Sequence, residues 1–142
     1  MRKNRWLLIL LLISLGALVS YVEAAERLNI EVFDVETKQV TNTTANSEIV
    51  QKELGNSLTK ITGLTKEFDP IPTKGQMIKI PLEPSVTVNN EWVTTFINEL
   101  ILILPTGSKP LLMIFDDENK PYFFEFDYDL QLLKSEIEQS LS

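Results

Sequence analysis

Carboxylates are the most abundant reactive groups in this 142-residue chain, which carries twenty Asp and Glu against thirteen Lys and Arg. Their densest run is Asp116, Asp117, Glu118, Glu125, Asp127, Asp129, Glu136 and Glu138, opposed only by Lys120 and Lys134. Clustered carboxylates suit a hard cation such as calcium. The spacing and glycine of an EF-hand loop are missing, however, and a solvated acidic face is the simpler expectation. Paired acids also carry out glycoside hydrolysis when they sit about 5–10 Å apart, but nothing in the sequence selects a pair.

Two further patterns have chemical meaning. Ser57-Leu58-Thr59-Lys60 fits the S-x-x-K of penicillin-binding proteins and serine β-lactamases. The companion S-D-N and K-T-G motifs are absent, so Ser57 and Lys60 read as ordinary solvated helix positions. Lys52, Lys60, Lys66, Lys74 and Lys79 face only Glu53, Glu67 and Asp69 within residues 52–79. A basic first half and an acidic second half can orient a charged partner such as an anionic wall polymer, or make a self-complementary surface.

What is missing excludes more than what is present suggests. The chain has no histidine and no cysteine. Ser-His-Asp, Cys-His and HExxH chemistries are therefore unavailable, as are disulfides and a lipid-modified cysteine. No catalytic residue, metal ligand set or cofactor is assigned.

The leader gives an address. Arg2, Lys3 and Arg5 precede the apolar run Trp6 to Val22, with no further charge until Glu23, which is the order of a secretory signal. Val22 and Ala24 stand at the small-residue positions of a cleavage site after Ala24. Left uncut, the seventeen apolar residues reach about 25 Å, short for a hydrocarbon core of about 30 Å but usable as an anchor. Positive charge stays inside, so the chain beyond residue 24 is expected outside the membrane. Ten basic and nineteen acidic residues remain there, a net of −9, which disfavours nucleic acid and anionic lipid as partners.

The elements that would position these groups follow from periodicity. Leu28 to Val35 alternates as a strand, and polar Thr37 to Asn46 reads as a loop. Ser47 caps a helix that ends at Gly63, with Val50, Leu54, Leu58 and Ile61 inward. Residues 64–75 form a connector rich in proline. Gln76 to Leu82 is a strand that Pro81 assigns to an edge or to the end of a strand, and Ser85 to Val88 is a second short extended piece. Asn89 or Asn90 caps a helix carrying Trp92, Val93, Phe96, Ile97, Leu100 and Ile101. From Leu100 to Leu104 the apolar character runs all round, so this stretch is buried on both sides, presents a partner surface through Leu100, Leu102, Ile103 and Leu104, or is a short strand from Glu99 to Leu104. Leu111 to Asp116 and Tyr122 to Tyr128 form a hairpin whose aromatic stripe Tyr122, Phe124, Phe126 and Tyr128 reads most simply as core, with a ligand platform as the alternative, and a last helix buries Leu130, Leu133, Ile137 and Leu141.

Residues 90–134, read as a helix followed by the hairpin LLMIFDDENKPYFFEFDYD, resemble a PepSY-type domain. That family comprises exported modules often linked to restraining peptidases, which the resemblance extends to this chain as an expectation. Where the family commonly ends in Asp-x-x-x-Gly, this chain has Asp127-Tyr128-Asp129-Leu130-Gln131.

The sequence therefore predicts a signal or anchor over residues 1–24 and one small α+β domain over 25–142. Its sheet is expected to be mostly antiparallel, of about four strands, covered on one face by two or three helices. The expected role is a non-catalytic exported or membrane-anchored envelope module that binds a protein partner. The alternatives are a small carboxylate-dependent hydrolase of wall material and a PepSY-like restraining module.

Overall fold

The computed structural model describes residues 29–141. The leader, including Ala24 and the expected signal or anchor helix, and Ser142 lie outside the described residues. Seven strands form one antiparallel sheet: β1 (Asn29–Asp34), β2 (Gln39–Ala45), β3 (Ile61–Leu64), β4 (Gly75–Asn89), β5 (Thr94–Pro105), β6 (Leu111–Phe115) and β7 (Pro121–Phe126). Their order is β2-β1-β4-β5-β6-β7-β3. The two helices among the described residues are α1 (Glu48–Leu58) and α2 (Gln131–Gln139).

This corrects the expected fold of about four strands and two or three helices. The largest change is residues 94–105, expected as a helix and found as β5, paired with β4 along nearly its whole length. The apolar run had no period to type it, and Thr94, Thr95, Ile97, Ile101 and Ile103 are β-branched residues that favour a pleated strand. Asn90 still uses its side chain as a cap, but of a hairpin. Its Oδ1 accepts the N–H groups of Trp92 and Val93, both at 3.0 Å. The same side-chain chemistry that starts a helix also closes a turn.

Two further segments differ. The polar loop expected at 37–46 is mostly the edge strand β2, whose only buried residue is Thr44, so no apolar alternation marked it. Pro81 lies in a central strand, not an edge, where the β4–β5 register shifts between Pro81 and Val86. A shift leaves a place in the ladder without a partner, which a residue lacking N–H can occupy. Side chains replace the missing ladder bonds: Asn46 Nδ2 and Gln51 Nε2 each donate to the Pro81 carbonyl at 2.8 Å, and the Glu83 N–H donates to Gln51 Oε1 at 2.8 Å.

Several acids that looked available for chemistry are turn formers. Asp34 Oδ1 accepts the Thr37 N–H at 2.7 Å and closes the β1–β2 turn, where Lys38 has φ 57°. Asp116 Oδ1 accepts the N–H groups of Glu118 and Lys120 at 2.9 Å and closes the β6–β7 turn. These donors hold both carboxyls below their ordinary range. For Asp34 the backbone N–H of Thr37 is the largest cause, and for Asp116 that of Lys120.

Helix α1 carries the chain from one sheet edge, β2, to the other, β3. It begins as expected at Ser47, whose Oγ accepts the Val50 N–H at 3.2 Å, and it stops at Leu58, five residues before Gly63. Both helices lie on the same sheet face. Val50, Leu54, Leu133 and Ile137 from the helices bury Ile30, Val32, Ile80, Leu100, Leu102, Leu112, Ile114 and Phe124 from the sheet. Each such side chain is worth about 1.5–3 kcal/mol when fully buried. The hairpin stripe Tyr122, Phe124, Phe126 and Tyr128 joins this core. Tyr128 donates to Glu53 Oε2 on α1 at 2.8 Å, and Asn56 Nδ2 donates to the Tyr128 oxygen at 3.3 Å.

Candidate apolar docking face

The side of the sheet turned away from the helices carries a second apolar cluster. Ile103, Leu111 and Met113 form its buried centre, with Met77, Ile101, Phe115 and Phe123 half-buried around them. Neither helix contributes a residue. Strand register produces this arrangement because side chains alternate between faces. One row across the strands runs Phe33, Met77, Ile103, Leu111, and the next runs Glu31, Lys79, Ile101, Met113, Phe123. The face is therefore mixed over β1 and β4, where Lys79 pairs with Glu31 at 2.9 Å beside Phe33 and Met77, and mainly apolar over β5, β6 and β7.

Phe96 extends the apolar part outward. Its neighbour Ile97 points into the helix-covered core, so Phe96 faces the other way, and it is 62% exposed. Together with Phe115 it lines a notch of about 160 Å³, whose other walls include Glu99, Asp116 and Asn119. Glu99 lies two residues before Ile101 on β5 and shares its face.

The four residues expected to meet a partner separate here. Leu100 and Leu102 are buried beneath the helices, and Leu104 is packed half-buried against that same core. Ile103 alone belongs to the helix-free face, at its fully buried centre. Sequence reading missed Phe96, Phe115 and Phe123 as surface residues. Phe96 was placed on the inner stripe of a helix, and the odd positions of the hairpin were outweighed by the aromatic even ones.

Other groups considered for chemistry are apart from this face or already engaged. Ser57 is buried, not solvated, and its hydroxyl donates to the Leu54 carbonyl at 2.8 Å, while Lys60 lies in the turn beyond α1. An open cleft of about 820 Å³ is lined by Thr62, Glu67, Lys109, Glu125, Asp127 and Tyr128 among others. Its three acids are all exposed. Among the described residues no group of three acidic, histidine or cysteine side chains is placed to hold a metal ion. No helix among them is long and apolar enough to cross a membrane.

No family model, curated protein or solved structure matches the chain. The helix-then-hairpin order behind the PepSY resemblance is also not what residues 90–134 adopt, since β5 stands where the helix was expected.

Proposed function

We propose that this chain is a non-catalytic protein-binding module of the cell envelope, exported by or held through its N-terminal leader. The observation that carries the reading is the apolar face over β5, β6 and β7, which neither helix covers and which ends in the exposed Phe96. An exposed aromatic continuous with half-buried aromatics marks an interaction surface more often than a lone surface residue does. Aromatic side chains also anchor protein interfaces at low conformational cost. The leader's basic-then-apolar order supports the extracytoplasmic placement.

The test is site-specific photo-crosslinking in intact cells, with the reactive side chain at Phe123. The expected result is one protein trapped in stoichiometric yield, lost when Phe96→Asp is added while the circular dichroism spectrum of the purified chain is unchanged. A folded chain that traps no protein overturns the reading.

A further inference from the structure

We infer that the partner seats a cationic side chain, lysine or arginine, in the notch between Phe96 and Phe115, with Glu99 as its counter-charge. This rests on the protein-binding reading and specifies the chemistry of the partner. Phe96 and Phe115 line the notch together with Ile97, Asn98 and Asn119, and Glu99 and Asp116 supply carboxylates at its walls. Ring faces and carboxylates attract the same kind of ligand, a cation carried on an apolar stem.

The two carboxylates are not equivalent. Asp116 spends one oxygen on the Glu118 and Lys120 N–H groups of its turn. Glu99 forms no ion pair among the described residues, whose salt bridges are Lys74 with Glu36 and Lys79 with Glu31. It is therefore the acid free to meet an incoming charge.

The wider field selects the same occupant. The β6–β7 turn that walls the notch carries Asp116, Asp117 and Glu118 against Lys120, within a chain of net −7. That potential draws a basic segment and speeds its encounter, and it repels both a second copy of this chain and an anionic lipid surface. The apolar neighbours Ile101, Met113 and Phe123 then receive the uncharged part of the partner segment.

The experiment uses the full-length chain in intact cells with the photo-reactive group at Phe123, comparing native Glu99 with Glu99→Gln and Glu99→Lys. The trapped protein yield is expected to fall about threefold for the amide and about tenfold for the lysine. The trapped segment should contain a lysine or arginine, and washing at about 0.5 M salt should weaken capture before irradiation. Thermal midpoints equal to that of the unmodified chain show that the variants are folded. Equal trapping of the same protein by Glu99→Lys overturns the cation proposal and leaves protein binding standing. Trapping of no protein, or only of a second copy, overturns both.

Discussion

The Tyr128 hydroxyl lies 2.8 Å from Glu53 Oε2 and donates its proton there, joining the segment after β7 to the buried side of α1. Glu53 is only 7% exposed, and a carboxylate in that position requires a donor. Replacing Tyr128 with Phe removes the donor and keeps the ring. The thermal midpoint is expected to drop by roughly 5 °C, and Glu53→Gln in the same background should recover part of the loss.

The same pair sets an alkaline limit. The Asn56 amide donating to the phenol oxygen lowers the Tyr128 pKa, but the Glu53 carboxylate, partial burial and the charges of Glu53 and Asp129 together raise it above the ordinary value of 10.0. A raised folded pKa means that the contribution to stability is fully present below the unfolded value and is lost as pH rises through the folded one. Absorbance titration of tyrosinate should show one group ionising late, and Tyr128→Phe should abolish that late step.

At the acid end the sign reverses. Asp34 and Asp116 have folded pKa values below the ordinary carboxylate value of 3.8. Their contribution is present above that value and is lost as pH falls through the lower folded values. The urea midpoint should decline below about pH 4, and Asp34→Asn with Asp116→Asn should flatten that decline. A slope unchanged in the double variant would show that the two turns do not hold these carboxylates in solution.

Gly75 opens β4 with φ +125°, and a Cβ placed there would collide with the Leu104 carbonyl oxygen. The atoms it would meet, from Leu104 to Thr106, are all backbone and leave nothing flexible to move. Gly75→Ala is expected to cost about 3 kcal/mol in equilibrium urea unfolding, whereas Gly55→Ala, with open space around it in the middle of α1, should be neutral or stabilising.

The two sheet faces should answer differently to substitution. Leu102→Ala removes a fully buried side chain between sheet and helices, at a cost of about 2–5 kcal/mol. Ile101→Ser, on the helix-free face where the side chain is half-buried, should cost roughly half of that, while abolishing capture by the photo-reactive group at Phe123. Denaturant midpoints combined with crosslinking yields separate the two outcomes. Equal stability losses would mean that the face is ordinary core.

Much of the local structure was legible because it rests on local chemistry. Ser47 as a helix cap, the final helix with Leu133 and Ile137 inward, and the turn around Asp116 to Lys120 each depend on residues within four or five positions of one another. The aromatic stripe from Tyr122 to Tyr128 was legible as core for the same reason, since alternation along one strand fixes a shared side.

The sequence by itself determined the excluded chemistries, the address proposed for the leader and the places where the chain turns, because composition and side-chain caps do not depend on distant partners. Only the tertiary structure decided what residues 94–105 become. An apolar run without a period satisfies a buried helix and a strand alike, and the ladder to β4 resolves the choice by supplying backbone partners from Gly75 to Asn89. That pairing also sends Leu100 and Leu102 under the helices and turns Phe96, Ile101 and Ile103 to the other face. The candidate docking face comes from register between strands distant in sequence, and so no single stretch of the chain displays it.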